Sequence, residues 1–429
     1  MVWIWVLLFG GIMIVSAPQA NAQPHPAADS KSNFMTNPAF RANKDYQEYL
    51  SFFEEVYATM EKNYYQPVPR EAFDRFLKTF DSKIYGELKH SGKSSSFIKW
   101  RSAAYLVEAV KSSEDIFSAF MPPKAARTYE QEALGKRIDL GIEGDLVAEG
   151  YRISRLEPRA DAFEKGLREG DVIQKIDEDN VPALTLAQIQ ERLNPLENTR
   201  VRLEYRDRAG RTTRTIEVIS KEYFKQTVFM VPTHVEGIYC LQIQRFNRKT
   251  SEDMTRFMSH ILKQGDTGLI IDLRGNPGGP PLAAREISSF FLTPEEEFAY
   301  FEGKNKPKTR LDVPRIPDQF HYKGDMVILV NEKSGSASEL FSGVLQWRGR
   351  AVLMGVNTAG QVLLKSMFNF DDESMLLLVT ARGHRPDGGV FSFKGLQPDI
   401  VKNEEDDELI RYAAEYLAAH KGRNAEKTF

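Results

Sequence analysis

Residues 327–345, VILVNEKSGSASELFSGVL, set a short apolar run rich in β-formers against a run with helical periodicity. The first half has the length of a buried strand, and the second repeats apolar residues at steps of three and four. Small residues make the sharp turn between them, and Ser336 opens the helix. A hydroxyl there meets helix N–H groups and a dipole that favour developing negative charge. The same letters fit a purely structural role. Ser336-x-x-Glu339 has the form of a capping box, which satisfies backbone donors and needs no chemistry.

A second strand-to-helix junction lies upstream, at residues 268–287, GLIIDLRGNPGGPPLAAREI. Its glycines let backbone N–H groups point into open space, a means of holding an oxyanion, although a tight turn alone would also use them. Asp272 reads as the anchor of that turn and Glu339 as a helix cap. Around these junctions strands and amphipathic helices alternate from about 223 to 402, the pattern of an α/β core. Cys240, in GIYCLQIQRF, sits in a strand pattern and reads as a small buried residue.

Two other units precede the core. Residues 41–135 are helical in pattern: Leu50, Phe53, Val56, Tyr57 and Met60 share one face, and further helices fall near 70–90 and 97–111. Residues 136–222 show short strands (YRISRL, DVIQKID, RVRLEYRD, TRTIEVIS) and one helix, TLAQIQERL. In this unit GLREGDVIQKID resembles the signature of a bacterial PDZ domain. The stretch Leu140, Gly141, Ile142 and Glu143 sits where such domains keep the loop whose amides capture a C-terminal carboxylate. The alternative is a small β domain without a ligand.

The chain has 429 residues, 41% apolar and 27% charged, with a net charge of −3. The isoelectric point near 6.2 gives no basic face for nucleic acid. The single cysteine excludes an internal disulfide. No HExxH, paired cysteine or carboxylate cluster suggests a metal, and no cofactor is expected. Residues 1–22 read as a signal peptide cut after Ala22, followed by a flexible lead over 23–40. No Lys or Arg precedes the apolar run, so an uncleaved anchor that keeps the protein at a membrane is the alternative. Either way the chain is expected to be exported, periplasmic or extracellular. A helix and tail close it over 403–429.

GLIIDLRGNPGG, VNEKSGSASELFSGVL, GVNTAGQVLL and LQPDI, in that order behind the PDZ-like unit, resemble the C-terminal processing (tail-specific) proteases, the S41 serine peptidases. The resemblance implies a multidomain α/β protein with a helical N-terminal region, a β-rich PDZ domain and an S41 protease core. It implies Ser336 as nucleophile, with oxyanion donors near Gly278 and Ala337. It also implies a lysine base twenty-five residues past the serine, and there the sequence departs: the residue is Gln361. Four residues on, where the family commonly has a glutamine, stands Lys365. The two appear exchanged.

Three expectations follow. Lys365 serves as base from the other position with Gln361 orienting it, which requires a bend, since four extended residues span about 13 Å. Alternatively the chain is a catalytically inactive homologue that binds peptides or acts as a scaffold. Or the base is unrelated, with His234, His260, His321 and His384 in or beside the core and His384 the best placed. The substrates implied for an active enzyme are polypeptides with apolar C-termini.

Overall fold

The computed structural model describes residues 43–420, apart from 266, 305, 306, 392 and 405, together with two short strands at Leu8–Phe9 and Ile12–Val15. The expected signal peptide and lead otherwise lie outside the described residues.

Six strands form the central sheet, in the order Val228–Val231, Ile238–Ile243, Gly268–Asp272, Met326–Val330, Val352–Gly355 and Ile400–Val401. The first pair is antiparallel and the rest are parallel. Side chains alternate across it. Leu269, Ile271, Ile328 and Val330 face one apolar layer with the helices Thr250–Ile261, Pro281–Ser288 and Ala337–Trp347. Ile270, Val327 and Leu329 face the other, which is closed by Leu409, Ala413, Ala414 and Leu417 of the terminal helix Asp406–Ala419. Both faces are covered, which is why residues 268–271 and Met326–Val330 read as unbroken apolar runs. Cys240 is fully buried in the second layer, and burial pushes its thiol pKa up to about 12.

A second sheet joins the core to the N-terminal helices. It contains Ala119–Met121, Leu363–Asn369, Met375–His384, Glu297–Glu302 and Thr309–Asp312. Leu363, Leu376, Leu378 and Val379 pack beneath the helices Lys44–Asn63 and Ser95–Val110. In Lys44–Asn63 the expected face is buried at Phe53, Val56, Tyr57 and Met60; Tyr49 and Phe52 join it, and Leu50 is half-buried.

The PDZ-like unit has a sheet in the order Thr213–Ile219, Arg200–Arg206, Val172–Ile176, Gly150–Leu156, Ile142–Val147. Its helix Leu186–Leu193 starts at a Thr185–Gln188 capping box. Two strands outside it, Lys136–Asp139 and Lys221–Phe224, pair antiparallel where the chain enters and leaves the unit.

Candidate active site

Gly268–Asp272 and Met326–Val330 are parallel neighbours, with Asp272 opposite Leu329. Both junctions therefore leave from the same end of the sheet, where open α/β sheets place their sites. Asp272 is fully buried and takes the Arg274 guanidinium through two contacts of 2.9 and 2.8 Å, fixing the start of the glycine turn.

Asn276, also fully buried, ties the two turns together. Its backbone oxygen accepts from Gly335 N (3.0 Å) and from the Ser338 hydroxyl (2.9 Å), and its side chain donates to Ile243 O (2.7 Å). Gly278 has φ +97° and lies directly against the serine turn. A Cβ on it would stand 2.5 Å from Gly335 O and 2.8 Å from both Ala337 N and Ser336 Cβ, so glycine alone fits. The Gly278 N–H, expected as an oxyanion donor, already donates to Asn276 Oδ1 at 2.9 Å. The amides of Ala337 and of the neighbouring Gly279 have no acceptor among the described residues.

Ser336 has φ 54° and ψ −112°, a backbone region that non-glycine residues seldom occupy. Such strain costs roughly 1–3 kcal/mol and persists where surrounding bonds impose it. Here the bonds come from Glu339. Its carboxylate is 1% exposed and accepts four hydrogen bonds: Ser336 N at 2.9 Å, Gln361 N at 2.7 Å, Gly360 N at 2.6 Å and the Thr358 hydroxyl at 2.6 Å. Burial raises its pKa, and those four donors work against the rise. Glu339 is thus more than a helix cap. It fastens the serine turn to the 358–361 segment, a role that the capping-box spacing only half discloses.

Lys365 reaches the same place from the strand Leu363–Asn369, where it shares a face with Leu363, two residues earlier, which lines the same cleft. The pairing beside it is irregular. Leu364 lies opposite Ala381 but Lys365 lies opposite Val379, so Thr380 is an extra residue in the partner strand. The Thr380 hydroxyl fills the irregularity, 2.8 Å from Ser366 Oγ and 3.4 Å from Leu364 O. The bulge belongs to the partner strand Met375–His384, so Lys365 keeps the alternation of its own strand. Ser336 and Lys365 line one cleft of about 60 Å³ with Arg245, Tyr129, Pro277 and Gly279. The ammonium sits 5.0 Å from the Phe117 ring centre and has no ion pair among the described residues. Burial lowers its pKa and Arg245 lowers it further, while Asp115 opposes them.

Gln361 does not line this cleft. Its amide is held by Glu339, and its Oε1 lies 3.5 Å from where a Cβ on Gly335 would be. The side chain makes no hydrogen bond to Lys365 among the described residues, so the expected orienting bond is absent. None of the four histidines lines the cleft either. His384 stacks on Tyr300 at 4.8 Å, His234 is 3.5 Å from Glu415, and His260 lies against Tyr239. A lysine whose ammonium is disfavoured by burial, a partly exposed hydroxyl and open amides are the components of nucleophilic acyl transfer.

At the other candidate loop, Gly141 has φ +70°, and a Cβ there would stand 2.4 Å from Ala160 Cβ. A cavity of about 220 Å³ opens beside Gly141, Ile142 and Glu143, bordered by Gln190, Asn194 and Tyr223. Two of the amides that would capture a carboxylate are taken. Leu140 N donates to Leu193 O (3.2 Å), and Gly141 N donates to Asp139 Oδ1 (2.7 Å), which also accepts from the Tyr223 hydroxyl. Asp139 thus takes up the Gly141 amide that the PDZ resemblance assigns to a C-terminal carboxylate. Glu143 is paired with Lys225 at 2.9 Å.

Residues 237–402 match the family model "Peptidase family S41", and residues 124–206 match the PDZ domain model. A Staphylococcus epidermidis protein named "Probable CtpA-like serine protease" is 24% identical over 406 residues, covering 93% of this chain and 73% of its own. Among solved structures, an S41 protease structure from Bacteroides fragilis superposes with a TM-score of 0.51 at 16% identity, over 85% of this chain and 97% of that one. The tricorn protease matches with a TM-score of 0.50 at 15% identity, over 87% of this chain and 37% of its own. These likenesses show the fold.

Proposed function

Residues 237–402 belong to peptidase family S41 and follow a PDZ domain, and from that premise we propose that the chain is an exported serine endopeptidase that uses Ser336 as nucleophile and Lys365 as base. The observation that carries this reading is the shared cleft: a strained serine and a desolvated, unpaired lysine line one small cavity, although the lysine is four residues from its family position. In its neutral form Lys365 takes the Ser336 proton as Oγ attacks the scissile carbonyl. The Ala337 amide, with that of Gly279, holds the oxyanion. The amine leaves with the proton, and water, deprotonated by the same lysine, resolves the acyl-enzyme. The PDZ loop at Leu140–Glu143 captures an apolar C-terminal tail or unfolded segment, displacing the internal Asp139 contact.

A second reading, a peptide-binding protein without turnover, is favoured by Gln361 at the family's lysine position. The experiment that separates the two incubates residues 23–429 with an unfolded protein bearing an apolar C-terminus, from neutral to alkaline pH. Wild type, Ser336→Ala and Lys365→Ala are compared. Cleavage lost in both variants supports the relocated base. Cleavage that survives Lys365→Ala would remove Lys365 from the mechanism. Binding without cleavage in the wild type would favour the second reading.

A further inference from the structure

Between the PDZ loop and the Ser336 cleft lies a third cavity, of about 290 Å³. It shares Arg245 with the cleft and shares Arg137, Arg155 and Lys225 with the cavity at the PDZ loop. Its remaining described wall is neutral: Gly135, Gln226, Thr227, Gln244 and Asn247. Among the described residues no carboxylate lines it. Of its four cations, Lys225 is paired with Glu143. Arg137, Arg155 and Arg245 have no ion pair among the described residues, and Arg245 Nε is buried without an acceptor. Arg155 rests over the Phe229 ring at 5.6 Å.

The nearby carboxylates Asp139, Glu143 and Glu157 line the PDZ-loop cavity rather than this one, and there Arg155 attracts Glu143 and Glu157 while Arg137 attracts Glu143. Asp139 serves Gly141 N and Tyr223, while Glu157 accepts weakly from Arg159 N and Gln226 N. Asp253 accepts from Arg159 at 2.7 Å and from Thr227 N at 2.9 Å. Like charges held around one cavity repel, and an anion entering it would relieve that repulsion. A guanidinium fork suits a carboxylate in particular, because two parallel N–H donors meet two oxygens.

We propose that this cavity is a subsite for acidic side chains of a polypeptide substrate, lying between the tail held at the PDZ loop and the bond presented to Ser336. The proposal rests on the peptidase reading and adds a substrate class to it: segments with Glu or Asp upstream of an apolar C-terminus. A peptide fits the position better than a nucleic acid does. The cavity is bounded at one end by a peptide-capturing loop and at the other by a serine cleft, and among the described residues no aromatic ring lines it for base stacking.

The test uses three peptides with the same C-terminus and the same scissile residues, whose intervening segment carries Glu, Gln or Lys. The full chain should cleave the Glu peptide with a kcat/KM about tenfold above the Gln peptide at low salt, as expected for one charge-assisted bidentate contact. The Lys peptide should be slowest, and added salt should narrow the differences. Arg137→Gln/Arg155→Gln should lose the preference, read as the ratio of the Glu-peptide to the Gln-peptide kcat/KM within that variant, at an unchanged thermal midpoint. Equal cleavage of all three peptides, or a preference that survives in the double variant, would overturn the proposal.

Binding of labelled peptides to the Ser336→Ala chain, read by anisotropy, tests the subsite independently of turnover. Tighter binding of the Glu peptide supports it even if the wild type cleaves nothing, an outcome that would instead count against the peptidase reading. Equal binding overturns it. An oligonucleotide that displaces the Glu peptide more strongly than excess unlabelled Glu peptide would also overturn it, by assigning the cavity to nucleic acid.

Discussion

At Lys365 the surroundings pull the ammonium pKa below its ordinary value: burial of the side chain disfavours the charge and Arg245 adds a like charge, while the Phe117 ring beside it and Asp115 act in the opposite sense. A base must be deprotonated to act, so kcat/KM should rise with pH through a pKa below the ordinary lysine range. Removing the Arg245 charge in Arg245→Gln relaxes one of the two influences that lower this pKa. The rising limb of the pH–rate profile should then move to higher pH. Asp115 acts in the opposite sense, so Asp115→Asn should move the limb to lower pH. A profile unmoved by both changes would show that Lys365 is not the titrating group. The exchange at 361 and 365 makes its own prediction. Gln361 lies beside Gly335 in the serine turn, so the double variant Gln361→Lys/Lys365→Gln should retain cleavage that Lys365→Gln alone loses, read as initial rate on the unfolded substrate.

Between elements, Glu339 is the fastener. It holds the first turn of Ala337–Trp347 to the Thr358–Gln361 segment through four hydrogen bonds from a fully enclosed position. Glu339→Gln keeps the shape but turns an NH2 group toward N–H donors. A buried donor left without an acceptor costs about 1–3 kcal/mol. The variant should therefore melt several degrees lower and cleave at least tenfold more slowly, measured by thermal unfolding and initial rate. A loss of rate with no loss of stability would mean that Glu339 acts on the chemistry rather than on the turn. The pairing of Leu363–Asn369 with Met375–His384 belongs to the same scale: Leu363 and Lys365 share one face of their strand, and that face lines the Ser336 cleft.

Across the whole molecule, the helical region is clipped to the second sheet by Asp372. Burial pushes its carboxyl pKa up, but Lys99 at 2.8 Å, Trp100 Nε1 at 2.9 Å and the Ser374 hydroxyl together hold it at about 2. A depressed carboxyl contributes stability above its unfolded pKa and loses it as pH falls through the folded value. Asp372→Asn should thus destabilise the chain at neutral pH, and its melting difference from wild type should shrink between about pH 4 and pH 2. At the PDZ loop, Asp139→Asn weakens an internal competitor for the Gly141 amide. Binding of a peptide with a free C-terminal carboxylate should tighten several-fold, and binding of its amidated form should not, as read by isothermal titration.

The division into helices, a PDZ-like unit and an α/β core could be read from local patterns, because apolar periodicity and glycine turns act over a few residues and need no distant partner. Ser336 was legible for the same reason: its strand, turn and helix are contiguous. The sequence by itself determined which elements form, which glycines flank the serine, and that glutamine stands at 361. Only the tertiary structure decided the rest. The meeting of Lys365 with Ser336 depends on how the second sheet lies against the core, the freedom of the Gly278 amide on a side chain two residues away, and that of the Gly141 amide on Asp139. Arg137, Arg155 and Arg245 are scattered through the chain and acquire a joint charge only where two units meet. Pattern is local, whereas desolvation, strand register and charge proximity are properties of residues brought together by folding.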